Sequence, residues 1–413
     1  MDYGLHFMLF FVPLSAINAK AMRLRSKINT MLGHPLLRDY RVLCALWMLL
    51  AVVAALTKLS RCNNFLIFRG VFWHAWQGQS LYATYPAEYN DMNHYGPFFS
   101  LVIAPFAVLP LWAGLLLWCV ALTMMLYVAV RWSQFTQRQQ LFLLWFCAHE
   151  LLTALFMQQF NIAIAAGIGL TYYCLEREKD FWAAFFILLG TMVKLYGIVG
   201  LAFFLFSKHK GKFVGSLILW AVIMFVAPMV ISSPEYIIGQ YHDWYVSIVE
   251  KNADNMFSHG TNISLLGVVR KISGCATYSD LWLIIPGLIA FAAPYLRFRQ
   301  YANDAFRQTL LASVLMFTVL FSTGSENSTY IIAVVGVAIW YTAAPWKRSK
   351  WDVALMVYVF ICCTMAHSDL MPRFVREEYM KPYGLKALPV ILVWFKLCYE
   401  IITKDYKPIA QKA

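Results

Sequence analysis

Long apolar runs separated by short basic loops constrain this chain more than any other feature. An α-helix needs roughly 17–25 largely apolar residues to cross the hydrocarbon of a bilayer. The first clear run covers 42–59. Others lie near 97–109, 111–131, 140–156, 158–176, 182–206, 213–232, 279–296, 308–322, 329–345, 352–366 and 385–403. Backbone in lipid must satisfy its own hydrogen bonds, so a chain of this pattern folds as a helix bundle. Composition points the same way, with 61% hydrophobic and 13% charged residues, against about 25% charged for a soluble domain. The expected fold class is an all-α polytopic membrane protein of about twelve transmembrane helices, with outer loops that bear short amphipathic helices.

Lys and Arg outnumber Asp and Glu by 34 to 21, a net charge of +13. The excess sits in short loops: "KAMRLRSKINTMLGHPLLRDYR" before the first span, "SKHKGK" (207–212), "RFRQYANDAFR" (297–307), "WKRSK" (346–350) and the tail. Basic loops stay on the cytoplasmic side, so the charge is topological and no nucleic-acid partner is expected. Both ends are then cytoplasmic. Residues 1–40 read as a cytoplasmic N-terminal segment, with a mis-called start at Met22 or Met31 as the alternative. Residues 41–403 read as one integral-membrane domain and 404–413 as a cytoplasmic tail. Residues 1–19 are apolar but have no basic residue ahead of them, unlike a secretory signal.

Four polar stretches fall on the outer side: 60–96, 232–278, 322–328 and 367–384. In the first, Phe65, Phe68, Phe72 and Trp76 share one stripe of a helix, as in an amphipathic helix lying in the membrane surface. The same stretch ends in "YNDMNHYGP" (89–97), where Asp91 is flanked by Asn90, Asn93 and His94. Such a carboxylate suits a general base. A cap for the helix that starts near Pro97 is the other reading. Glu88 is the fallback base. The second stretch carries His242, Asp243, His259, Asn262, Arg270 and Lys271, and its "SHGTNISL" reads as a polar turn capping a short helix. Arg270 and Lys271 suit a phosphate or an anionic headgroup.

Two ionisable residues fall inside spans, Glu150 and Lys194. An isolated charge there costs on the order of 3 kcal/mol on an insertion scale, so each should face a cavity or a partner. Lys194 fits either a lipid phosphate or an ion pair with Glu150. Gln158, Gln159 and Asn161 put amides at a helix start, where hydrogen bonding between helices is the default. The nine cysteines show no CxxC pattern; a Cys62–Cys275 bridge is one option. No Asp/His cluster of metal-binding spacing occurs, and neither metal nor cofactor is expected.

In order along the chain come "NNFLIF" (63–68), "SLYATY" (80–85), "HYGPFFSLVIAPFAVLP" (94–110), "QQFNI" (158–162), "VKLYG" (193–197) and "TNISLLGVVRK" (261–271). This series, over about 40–345, resembles glycosyltransferase family 87, the DUF2029 group of the membrane GT-C superfamily. The resemblance implies a GT-C-like bundle and an inverting hexosyltransferase, similar to polyprenol-phosphate-mannose-dependent mannosyltransferases. It implies a polyprenyl-phosphate sugar donor, a lipid-linked or glycan acceptor, and a site on the extracytoplasmic face of a bacterial inner membrane. The family's first-loop acid falls on Asn63–Asn64 here. An amide cannot take a proton from the acceptor, so Asp91 is the expected catalytic base. Asn64, Glu88, His94, Tyr95, Lys194, Gln159, Asn161, His259, Asn262 and Arg270 are the expected donor- and acceptor-binding residues. The alternatives are a secondary transporter, for which the paired broken helices are not apparent, a polysaccharide polymerase or ligase using lipid-linked glycan, and a scaffold that has lost catalysis.

Overall fold

The computed structural model describes residues 34–258, 260–275, 277–365 and 371–406. Most of residues 1–40 and of the 404–413 tail, and His259, therefore lie outside the described residues. Helices make up 78% of the structure and no strand occurs among the described residues, so the all-α expectation holds. The helices are α1 (Tyr40–Lys58), α2 (Asn63–Gln77), α3 (Phe99–Ala107), α4 (Leu111–Trp132), α5 (Gln137–Phe156), α6 (Asn161–Glu176) and α7 (Asp180–Lys194). After a 3₁₀ leg over Tyr196–Phe206 come α8 (Lys210–Val226), α9 (Pro234–Phe257), α10 (Leu265–Ser273) and α11 (Leu281–Ala292). The last are α12 (Asp304–Leu320), α13 (Tyr330–Ala343), α14 (Lys350–Val359) and α15 (Ala387–Thr403).

Among the described residues, four helical stretches are long and apolar enough to cross a membrane: Tyr40–Arg61, Leu111–Trp132, Gln137–Phe156 and Lys210–Val230. Shorter apolar helices accompany them, among them Tyr196–Phe206 and Leu281–Leu296. This is an integral membrane protein. Helices α6 and α13 are buried nearly all round, as apolar helices at the centre of a bundle must be. Both pack on α5, and α12 covers α13.

The basic loops gather at one end of the bundle. Arg307 makes two 2.8 Å hydrogen bonds to the Glu176 carboxylate. Lys208 reaches Glu178 at 2.6 Å, and Arg297 donates to the carbonyls of Ile401 and Lys404, both at 2.7 Å. The polar stretches meet at the other end. Leu81 N–H donates to Gln240 (2.7 Å), Ile263 N–H donates to the Ser325 carbonyl (2.8 Å), and Lys386 donates to Asn327 Oδ1 (2.6 Å).

Two expected spans are built differently. Segment 97–109 does not run from end to end. Its helix α3 has nine residues, a length of about 14 Å. Arg69 on α2 donates to the carbonyls of both Ala107 and Leu109 at its close. Pro110 then caps α4, whose far end reaches the start of α1, where Tyr127 donates to the Tyr40 carbonyl at 2.6 Å. Segment 182–206, in contrast, is two antiparallel legs. Leu195 takes φ +59°, the chain reverses, and the 3₁₀ leg returns along α7. A Cβ on Gly190 would lie 2.8 Å from Gly197 Cα, so only glycines allow this approach. Ser207 closes the hairpin on Asp180 at 2.6 Å. At about 1.5 Å per α residue and 2.0 Å per 3₁₀ residue, both legs are about 22 Å long. Lys194 thus sits at a helix end, at the polar end of the bundle, and not in the middle of a span.

Helix α2 forms where the aromatic stripe predicts it. Phe65, Phe68 and Phe72 are buried within the protein, however, and only Trp76 is exposed. The cysteines are all free, with Cys62 buried and Cys275 exposed, so the bridge between them does not form. Ser264 caps α10 by accepting from Gly267 N–H at 3.1 Å, as the polar turn predicts.

Candidate functional site

Stretch 89–97 is docked into the polar end from three sides. Asn63 on α2 clips it, donating to the Asn90 carbonyl (2.6 Å) and accepting from Asn90 N–H (2.8 Å). Trp244 on α9 donates to the His94 carbonyl (3.0 Å). Gly96 N–H donates to the Val193 carbonyl at the end of α7 (3.0 Å). A Cβ on Gly96 would overlap the Met192 carbonyl oxygen, so the contact with α7 requires glycine. Helix α9 was expected as loop. Its inner face, Ile237, Gln240, Trp244, Ser247 and Asn255, is buried at helical spacing, but it mixes apolar with polar residues and so hides from a hydropathy reading.

Asp91 lies at the rim. Its φ is +77°, its side chain is 59% exposed, and Lys251 Nζ is 3.9 Å from Oδ1. Its Oδ1 accepts from the next residue's N–H at 2.8 Å. Phe98 is the N-cap of α3, with no side-chain cap, so Asp91 does not cap it. Glu88 pairs with buried His74 at 3.3 Å. His94 Nδ1 meets Ser247 Oγ at 2.8 Å, while Nε2 is buried with no partner. Burial, and next the charge of Lys251, lower the His94 pKa to about 4, with Asp91 and Asp254 opposing. The imidazole is therefore neutral at neutral pH.

Behind this rim lies a hydrogen-bonded cluster centred on Lys194. Its Nζ donates to Asn161 Oδ1 (2.8 Å) and Gln159 Oε1 (3.0 Å). The rings of Tyr95 and Tyr196 flank it, 5.4 and 5.5 Å from Nζ. Gln159 Nε2 donates to Glu326 Oε2 at 2.9 Å, and Asn161 Nδ2 donates to Ser328 Oγ at 2.9 Å. Tyr95 is locked by stacking on Phe68 (4.9 Å between centroids) and by accepting from Phe160 N–H (3.1 Å). No carboxylate among the described residues is in ion-pair contact with Lys194.

The alternative reading of Lys194, an ion pair with Glu150, does not hold. Glu150 pairs instead with Lys386, 2.7 Å away, and both are almost wholly buried. The reversal at Leu195 carries Lys194 to the neutral amides. Of the remaining expected residues, Asn64 donates to the Met157 carbonyl (2.7 Å) and ties α2 to the turn before Gln159. Asn262 is fully buried at φ +52°, with Oδ1 accepting from Ser264 at 2.7 Å. Arg270 is committed to Asp280 at 2.6 Å, which leaves it a pin of α10 and not an open phosphate ligand. Lys271 donates to the Thr261 carbonyl at 3.0 Å, and burial lowers its pKa to about 8.

Sequence reasoning missed Glu326, Ser328 and Lys386. The first had a signal. Glu326 is the only acid between Asp304 and Asp352, in the short polar segment "STGSENST" between two apolar runs. Its side chain also accepts from Thr329 N–H, in a reciprocal cap that fixes the turn.

A family model described as glycosyltransferase family 87 matches residues 93–323, more than half of the chain. The match runs from the docked stretch through α12 and is narrower than the 40–345 over which the motifs were read. A search among curated proteins finds no match.

Proposed function

The chain belongs to glycosyltransferase family 87 and is a membrane glycosyltransferase, and from that membership we propose that it moves a hexosyl residue, mannose being the first to test, from a polyprenyl-phosphate donor to a lipid-linked or glycan acceptor. The observation that carries the donor class is Lys194. It is a cation at the polar end of the bundle, bonded among the described residues only to neutral amides, and such a group attracts the phosphate of a leaving group. On this reading the chain makes twelve passes of a bacterial inner membrane. The basic end is cytoplasmic by the positive-inside rule, and the Lys194 cluster faces the extracytoplasmic side.

The roles follow from chemistry. Asp91 takes the proton from the acceptor hydroxyl. The hydroxyl oxygen then bonds to the anomeric carbon from the face opposite the phosphate. The carbon–oxygen bond to phosphate breaks, its electron pair leaves with the phosphate, and the anomeric configuration inverts. Lys194 stabilises the charge that gathers on the phosphate. Gln159 and Asn161 hold the ammonium in place. Glu88, neutral His94 and Tyr95 line the approach for donor or acceptor. Asn64 supports the floor through the 157–160 turn, and Asn262 and Arg270 support it through α10. His259 is assigned to binding on sequence alone.

The test is hexosyl transfer from a polyprenyl-phosphate sugar in proteoliposomes. Lys194→Met is expected to abolish transfer while the protein still folds. Transfer at the unsubstituted rate would refute the phosphate role.

A further inference from the structure

Lys194 and Glu326 are the ends of a three-residue chain whose middle member is neutral. Lys194 Nζ donates to Gln159 Oε1 at 3.0 Å, and Gln159 Nε2 donates to Glu326 Oε2 at 2.9 Å. An ammonium only donates and a carboxylate only accepts, so the two ends fix which way the Gln159 amide faces. The other hydrogen-bond partner of Lys194 is Asn161 Oδ1 at 2.8 Å, also neutral. Two of the three ammonium hydrogens are used.

Four other shielded cations are treated differently, although Lys271, like Lys194, meets a neutral oxygen, the Thr261 carbonyl. Lys386 touches Glu150 at 2.7 Å, Arg348 touches Glu400 at 3.0 Å, Arg307 touches Glu176 at 2.8 Å and Arg270 touches Asp280 at 2.6 Å. Each is neutralised by direct contact. Lys194 has a carboxylate nearby, but one side chain away. Coulomb attraction falls with distance. An incoming anion in contact with Nζ therefore outcompetes Glu326 without having to break an ion pair.

We propose that Gln159 is a spacer, a positioning residue that holds Glu326 off Lys194 so that the ammonium stays available to an incoming anion. The inference rests on the reading above, in which that anion is the monophosphate of the donor. Glu326 supplies background attraction that keeps the site charged, and Gln159 sets its distance.

The experiment measures binding of a polyprenyl monophosphate, and of the matching uncharged polyprenol, to the full-length protein in nanodiscs. Gln159→Glu puts a carboxylate against Nζ. Monophosphate affinity is expected to fall about tenfold or more, the scale of one neighbouring charge in a shielded site, with polyprenol affinity unchanged. The swap Gln159→Glu/Glu326→Gln restores both hydrogen bonds and the net charge but keeps the direct pair. It should bind the monophosphate as weakly as the single variant. Recovery to the original affinity would mean that Gln159 serves only as a hydrogen-bonding link, and would overturn the spacer. Glu326→Gln alone is expected to change affinity less than Gln159→Glu does, because the Coulomb interaction falls with distance. A gain of tenfold would show Lys194 already neutralised by Glu326, and would overturn it even if Gln159→Glu failed to fold. Lys194→Met separates the two claims. If it binds the monophosphate normally, the anion reading fails and the spacer with it. If it loses binding while Gln159→Glu does not, the anion reading stands and the spacer alone is refuted.

Discussion

Removing Lys386 should destabilise the bundle more than any surface charge would. Glu150 is 0% exposed and Lys386 1%. The ammonium spends its three hydrogens on Glu150 Oε1 (2.7 Å), Asn327 Oδ1 (2.6 Å) and the Asn327 carbonyl (3.1 Å). Glu150 Oε2 is buried and has no partner of its own. Lys386→Met therefore strands a carboxylate with no other donor, a loss of about 3–5 kcal/mol for a broken buried pair. Replacing both, as Glu150→Leu/Lys386→Met, removes the stranded charge and should recover most of that loss, since apolar replacement of a buried pair is often neutral. The two substitutions are thus strongly non-additive. Thermal unfolding in detergent, followed by the fluorescence of the 15 tryptophans, reads this directly. The expected order of stability is unsubstituted protein, then the double variant, then Lys386→Met. Asn327 adjoins Glu326, so Lys386→Met should also weaken transfer. A double variant no more stable than Lys386→Met would show that the stranded Glu150 charge is not the cause of the loss.

Asp91→Asn should slow transfer roughly 100-fold or more, the usual worth of a general base, with donor binding unchanged. Turnover near the original rate would move the role to Glu88 or His94. Gly96→Ala forces a methyl into the Met192 carbonyl and against Trp244. It should cost about 1–3 kcal/mol, as overpacking does, and reduce transfer by lifting 89–97 off α7; an unchanged unfolding temperature and rate would refute that. His94 is held at about 4, below its ordinary 6.5. The folded protein binds the His94 proton less readily than the unfolded chain. The contribution is therefore complete above pH 6.5 and is lost as pH falls from there to about 4. His94→Asn should flatten that part of the stability profile, and an unaltered profile would assign the dependence elsewhere.

The helices were legible because lipid imposes a simple rule. Runs of apolar residues near twenty long become α1, α4, α5 and α8. The hairpin at 182–206 was not legible, because the break occurs within an unbroken apolar run. Its marks are Lys194 before a left-handed Leu195 and two glycines, Gly190 and Gly197, whose pairing appears only when the chain folds back. Pro105 in 97–109 and Pro110 just after it were the available hint that this run does not extend from end to end. The candidate site was half legible. Asp91, His94, Lys194, Gln159 and Asn161 stood out as polar residues in apolar surroundings. The partners of Lys194 and Glu150 did not, since contacts such as Lys386–Glu150 join residues 236 positions apart. Arg270 shows the opposite limit. Its charge invited a phosphate, and only the structure places Asp280 against it.

In the proposed reaction the chain transfers a sugar whose leaving group is a lipid monophosphate held by Lys194. The most direct measurement offers purified protein in nanodiscs two labelled donors with the same sugar, one on a polyprenyl monophosphate and one on a nucleotide, in the presence of extracted membrane lipid acceptors. Label should pass to lipid or glycan product from the polyprenyl donor alone, and Lys194→Met should end it. Transfer from the nucleotide sugar, or undiminished transfer by Lys194→Met, would show that the leaving group is not a lipid monophosphate held by Lys194.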